Sequence, residues 1–437
     1  MALSVPGPTR RVLAAASAAL LALLTASAVV ASPAQAAPPT TDDPAAAGAG
    51  WLARQFVDGN HLETTSSGQV FPDYGLTLDA VFGFAAAGVA GDTAEAAMAW
   101  IGQPANLASY VGNGSTESYA GSLAKLSLSA QVQGLDPTAF GSGRVDVLAR
   151  LRALITPSGR FSDKSSFGDF SNGFSQSYAV LTLARAGSVP PAAVSFLAGT
   201  ACPDGGFPQT FGGASCTPAV DTTAVAVQAL AAAGDGAAAK AGIQWLVGAQ
   251  RVDGSFVDVA SGDPNANSTG LAGQALRTAG STAAAGRAAA YLRSLQSGCT
   301  APAARRGAIA FDRKGFDATI APRATAQALL GLSGPGLLTL DGTGTGAEPA
   351  APELACAAPP SSSAPATPSP TPSAAPTAAP TTRSAVPVPA PSTSPAALGG
   401  TLPNTGASPV PVVWIGLGLL AGGASLAFLG RRRPAKP

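Results

Sequence analysis

Six times along the chain a helical run rich in alanine or leucine ends in a glycine: Phe84-Ala85-Ala86-Ala87-Gly88, Gln131-Val132-Gln133-Gly134, Ala184-Arg185-Ala186-Gly187, Ala231-Ala232-Ala233-Gly234, Arg277-Thr278-Ala279-Gly280 and Leu332-Ser333-Gly334. These glycines stand 46 to 54 residues apart. A glycine just past a helix takes the left-handed conformation that ends it, and the intervals leave room for a second helix and two loops. Between Asp235 and Gly248, for example, Gly242-Ile243-Gln244-Trp245-Leu246-Val247 carries an apolar stripe before the loop Gln250-Arg251-Val252-Asp253-Gly254-Ser255-Phe256. The repeating unit is therefore a helical hairpin, and six hairpins either stack in a line or close into a ring. A net charge of +1 with 11% charged residues gives no basic patch for a nucleic acid.

The stretch Gln250 to Phe256, preceded by Trp245-Leu246, resembles the Gln-to-aromatic repeat of the prenyltransferase and squalene-cyclase superfamily. Partial copies are Pro203-Asp204-Gly205-Gly206-Phe207, Ser158-Gly159-Arg160-Phe161, Val57-Asp58-Gly59 and Gly68-Gln69-Val70-Phe71. The resemblance implies an all-α fold over 37–346, an (α/α)6 toroid of six helical hairpins with six inner helices ringed by six outer ones; a linear solenoid is the alternative. The motif itself is structural: Asp-Gly permits a tight turn, the glutamine bonds backbone at a neighbouring helix end, and the aromatic wedges between hairpins.

Both ends of the chain carry transport signals. Residues 1–36 read as a secretory signal peptide, with Arg10 and Arg11 before an apolar run and Ala34-Gln35-Ala36 as cleavage site. Residues 347–401 are Pro, Ala, Ser and Thr with almost no large apolar side chain, so they are expected to form a disordered wall-spanning stalk. At 402–437, Leu402-Pro403-Asn404-Thr405-Gly406 precedes an apolar segment at 410–430 and the cations Arg431, Arg432 and Arg433. Such a segment is long enough to be a transmembrane sorting helix, with its basic tail on the cytoplasmic side. This tail resembles the LPxTG sorting signals of Gram-positive surface proteins, which implies sortase and peptidoglycan as partners. Cleavage between Thr405 and Gly406 would leave the membrane span only a transient hold.

All four cysteines, Cys202, Cys216, Cys299 and Cys356, fall in the exported part, where disulfides persist. Of three possible pairings, Cys202 with Cys216 and Cys299 with Cys356 is preferred, because it closes a Gly/Pro-rich loop and pins the last repeat. Paired cysteines at zinc spacing are missing, so no metal is expected.

Aligning hairpins on their terminal glycines puts polar residues near each inner-helix start: Thr77 with Asp79, Glu117 with Ser118, Gln176 with Ser177, Asp221 with Thr222 and Thr223, Asn267 with Ser268 and Thr269, and Arg323 with Thr325. They read as helix N-caps, or as a ring lining the mouth of a central cavity. Aromatic residues gather in the first half, and Phe167-Gly168-Asp169-Phe170-Ser171-Asn172-Gly173-Phe174 is the best candidate for a ligand-facing loop. The candidate ligand-facing residues are accordingly Glu117, Tyr119, Phe170, Phe174, Gln176, Tyr178, Asp221 and Asn267.

Three enzyme chemistries of the resembled superfamily lack their motifs: no Asp-x-Asp-Asp acid, a single histidine (His61), and no Cys-Gly-Glu-Gln stretch. Cobalamin carriers of the transcobalamin type use the toroid without catalysis, but their small β domain has no counterpart here. The expectation is a non-catalytic, cofactor-free domain binding a small molecule, such as a corrinoid or isoprenoid, or a surface-protein partner. The alternative is an extracellular hydrolase, lyase or degenerate cyclase, with Glu117 and Asp221 as a carboxylate pair.

Overall fold

The computed structural model describes residues 38–257, 262–344 and 351–357, all in the second of two compact units, Pro38–Pro437. The signal peptide, the sorting pentapeptide Leu402–Gly406, the 410–430 segment and most of the stalk lie outside the described residues. Among the described residues no helix is long and apolar enough to cross a membrane.

Thirteen α-helices are described. In chain order they are α1 (Pro44–Ala53), α2 (Tyr74–Ala87), α3 (Gly91–Ile101), α4 (Pro104–Val111), α5 (Ala120–Val132), α6 (Val147–Arg152), α7 (Gly173–Arg185), α8 (Pro191–Gly199), α9 (Val220–Ala232), α10 (Gly236–Ala249), α11 (Ala266–Thr278), α12 (Thr282–Ser294) and α13 (Ala321–Leu332). Helices α2, α5, α7, α9, α11 and α13 pack each on the next, and α13 packs back on α2. That last contact closes the ring and excludes an open solenoid. The others lie outside it, with α3 and α4 together forming the outer layer of the second hairpin.

The inner helices are buried all round, which is why alanine, serine and glycine are so frequent in them. At Gly270 a Cβ would strike the Gln327 carbonyl of α13, so this close approach of α11 to α13 requires glycine. All six repeat-ending glycines, from Gly88 to Gly334, have positive φ as their position predicts.

Two sets of hydrogen bonds fasten the hairpins. Thr77, Thr223, Thr269 and Thr325 each accept the backbone N–H of a loop residue leading into their own inner helix: Leu62, Phe207, Phe256 and Ile309. Gln176 fills the same role for Phe161. These residues are therefore not N-caps, as their spacing suggested; the N-cap residues whose own side chains cap inner helices are Asp73, Asn172 and Asn265, and α5 is capped from another repeat by Asp163. The second set is glutamine amides bonding the next outer helix. Gln250 donates to Ala284 O and Gln296 to Pro44 O, so the last repeat is bolted to the first.

The far end of the ring is plugged by the chain after α13. Leu337 and Leu340 are fully buried there, Gln228 accepts the Leu337 N–H, and Arg185 donates to the Leu337 and Leu338 carbonyls.

The folded unit also extends beyond the boundary expected at residue 346. Strand β6 (Glu353–Leu354) pairs in parallel with β1 (Thr40–Thr41), and Cys356 is bonded to Cys299. Cys202 is bonded to Cys216, so the preferred pairing holds at both sites. Two antiparallel ribbons, β2 (Glu63–Ser66) with β3 (Gln69–Pro72) and β4 (Phe256–Val257) with β5 (Pro264–Asn265), complete an otherwise helical fold.

Candidate functional site: the mouth of the ring

Each hairpin runs outer helix first, so the inner helices start at one rim, and the loops entering them form the mouth. The loop between α6 and α7 is held from several sides. Glu117 accepts the N–H and hydroxyl of Ser166 at 3.0 and 2.7 Å, and the Tyr119 hydroxyl at 3.3 Å. Asp163 accepts the backbone N–H of Phe170 and of Ala120, the latter bond capping α5 from another repeat. Asp169 pairs with Arg160 at 2.8 Å, and Arg160 also donates to Ser171 and covers the ring of Phe211 in the Cys202–Cys216 loop.

The electrostatics follow from these contacts. Desolvation pushes the Glu117 carboxyl up, but hydrogen bonds from Ser165, Ser166 and Tyr119 outweigh it and hold the group below its ordinary value. Burial raises Asp163 against the pull of its two backbone donors. The result is a fixed backbone that presents Phe167 and Phe170 to solvent, 49% and 52% exposed.

The remaining expected site residues separate. Phe174 and Tyr178 are buried inside the ring with their rings 6.1 Å apart. Asp221 and Asn267 are buried near the starts of α9 and α11. Gln176 points away from the axis, and both its amide protons go to backbone, at Gly159 O and Ala193 O. It is a bolt and not a ligand contact, because no donor remains to offer.

Sequence reading missed a buried charge cluster. Lys125, 2% exposed, lies 2.6 Å from Asp79 and donates to Gly75 O; Arg323 lies 2.6 Å from Asp73 and 3.5 Å from Asp79. Burial pulls the Lys125 ammonium down while Asp79 pushes it up. The only possible signal was helical phase, which sets Asp79, Lys125 and Arg323 on the inner faces of their helices.

All five tyrosines have raised pKa values, chiefly because burial disfavours phenolate. Tyr119 is pushed to about 12 by desolvation and Glu117. A group whose folded pKa exceeds its unfolded value contributes stability that is lost as pH rises through that window. Phenolate absorbance is therefore expected to stay low through pH 10, where free tyrosine is half-ionised, and to rise together with the loss of helical circular dichroism. Stepwise ionisation in a still-folded protein would contradict this.

A groove of about 250 Å³ also opens at the opposite end of the ring, between α9, α10 and α11, lined by Val227, Ala231, Lys240, Ile243 and Thr278 among others. It is separate from the mouth. Among the described residues no group of three or more His, Cys, Asp or Glu could hold a metal ion.

No protein-family model matches the chain, and no curated protein matches it in sequence. Several solved structures are similar to it in fold. A type II terpene cyclase, MstE from Scytonema, is 13% identical over 66% of this chain and 96% of its own, with a TM-score of 0.48. Haptocorrin in complex with Cbi is 13% identical over 68% of each chain, with a TM-score of 0.41. The unsaturated glucuronyl hydrolase of Bacillus sp. GL1 is 11% identical over 66% and 94%, with a TM-score of 0.44. The closed ring of the present chain rests on its own helix contacts.

Proposed function

We propose that this protein is exported, joined to the cell wall through Thr405, and displays its ring as a non-catalytic binding module. The ligand, a small molecule or a surface protein, is met at the mouth loop 163–172. The observation that carries this reading is the exposed pair Phe167 and Phe170 on a backbone pinned by Glu117, Asp163 and Arg160. Aromatic side chains give large contact area, and a loop fixed before binding loses little entropy when a partner arrives. Two disulfides fit an oxidising exterior. A hydrolase would need two carboxylates free to meet substrate, whereas Glu117 is committed to the loop through Ser166 and Tyr119.

The test pairs titration with fractionation. Wild-type protein is titrated with corrinoids, isoprenoids and wall-glycan fragments, and with extracted surface proteins. Replacing Phe167 and Phe170 by serine is expected to weaken the observed binding at least about tenfold, while stability changes by about 0.5 kcal/mol or less. Unchanged binding sinks the mouth-loop assignment. Deleting 402–406 is expected to move the protein from the wall fraction to the membrane fraction, where the 410–430 segment would hold it uncleaved, and retention in the wall would contradict anchoring.

A further inference from the structure

Two neighbouring loops meet at the mouth, and one of them is closed by a disulfide. The loop between α8 and α9 runs from Thr200 to Ala219, and Cys202 bonded to Cys216 closes most of it. Its base is held where the Ala219 N–H donates to Phe207 O. Among the described residues, no backbone hydrogen bond involves Thr210 to Thr217, and every side chain there except Phe211 is short. This stretch therefore owes its position to the disulfide and to Phe211, which meets Phe196 of α8 edge-on at 5.3 Å.

The disulfide loop in turn holds the C-terminal half of the mouth loop. Gly173 is the first residue of α7, where an amide has no partner inside the helix, and its N–H donates instead to Gln209 O at 2.7 Å. The two backbones touch there, since a Cβ on Gly173 would strike the Pro208 carbonyl. Arg160 makes the second link. Its guanidinium carbon lies 5.2 Å from the centre of the Phe211 ring while the group pairs with Asp169 and donates to the Ser171 carbonyl and hydroxyl. The N-terminal half is tied elsewhere, through Ser166 to Glu117, and Phe170 sits between the two halves. The two sulfurs differ in access: Cys202 is 4% exposed, whereas Cys216 is open to solvent.

We propose that the Cys202–Cys216 disulfide is a thiol-sensitive clamp on the mouth loop: intact, it holds 170–173 in the shape that presents Phe170, and its reduction lets them loosen. The reductant is a low-molecular-weight thiol. Its thiolate attacks Cys216 Sγ, the S–S bond breaks, and Cys202 leaves as thiolate; a second thiolate attacks the external sulfur of the mixed disulfide, and Cys216 leaves. Two electrons pass to the protein, the external thiols depart as their disulfide, and their protons end on Cys202 and Cys216. The consequence for ligand binding rests on the reading of this loop as the binding surface, but the loosening is measured without any ligand.

Amide hydrogen exchange of the full chain, with and without 2-mercaptoethanol, tests the clamp. The amides of Phe170, Ser171 and Gly173 are all bonded in the oxidised protein. Reduction, confirmed by counting free thiols, is expected to speed their exchange about tenfold or more while Val180 and Leu181 inside α7 keep their rates. The variant with Cys202→Ser and Cys216→Ser should match the reduced protein, and the variant with Cys299→Ser and Cys356→Ser should match the oxidised one. Phe211→Ala keeps the disulfide but removes the ring beneath Arg160, so it should speed Ser171 by a smaller factor, and it serves where a cysteine variant fails to fold. The proposal is overturned if the thiol does not open Cys202–Cys216, if 170–173 exchange at unchanged rates once it is open, or if the interior of α7 accelerates equally. Those results leave the mouth-loop assignment standing, because the serine variants of Phe167 and Phe170 test it separately.

Discussion

Replacing Lys125 with alanine is expected to lower the unfolding free energy by about 3–5 kcal/mol, because it strands a buried carboxylate. Lys125 and Asp79 are 2% and 3% exposed and in direct contact, so water cannot take the place of the missing ammonium. Arg323 and Gln327 reach the other Asp79 oxygen only at 3.5 and 3.4 Å, and Arg323 is already drawn to Asp73. The double variant Lys125→Met with Asp79→Leu removes both charges and is expected to cost less than the sum of the two single changes. Denaturant unfolding of the wild type, Lys125→Met, Asp79→Leu and the double variant forms a double-mutant cycle. Additive single costs below about 1 kcal/mol would mean that the pair is solvated and does not hold the ring together.

The second large effect is expected at Gln176. Changing it to leucine leaves the Phe161 N–H and the carbonyls of Gly159 and Ala193 without their partner. At about 1–3 kcal/mol for each buried group left unsatisfied, a loss of about 3 kcal/mol allows for partial rehydration of the loop. The same bonds join α7 to the start of α8, so the loss should appear as a lower unfolding midpoint and not as a selective loss of binding. A Gln176→Leu protein with wild-type stability and abolished ligand binding would restore this residue to the binding surface.

The architecture was legible because its signals are local and repeated. Six glycines at near-constant intervals mark six helix ends, and Gln250 makes the backbone bond its motif implies. Ring closure was harder to read, since a line of hairpins has the same periodicity; the contacts of α13 with α2 and of Gln296 with Pro44 decide it. The candidate site was legible only in part. Phe170 stood out because phenylalanines between glycines in a loop have no core to enter, and its exposure agrees with that argument. Gln176 misled because a polar residue near a helix start reads equally as a cap, a mouth residue or a bolt, and only the third dimension separates them. Lys125 was invisible because its neighbours, Leu123, Ala124 and Leu126, make an ordinary helical stretch. Its burial depends on Asp79, which is distant in sequence and adjacent only after the ring forms.

The central claim, that the ring binds its ligand at the mouth, is tested most directly by amide hydrogen exchange on the full chain. Each class of candidate ligand would be added in turn. The account predicts that one of them slows exchange at 112–118 and 163–174, where the pinned loop and its anchors lie, and leaves the groove at 227–243 unchanged. Protection confined to that groove, or no protection with any ligand, would contradict it.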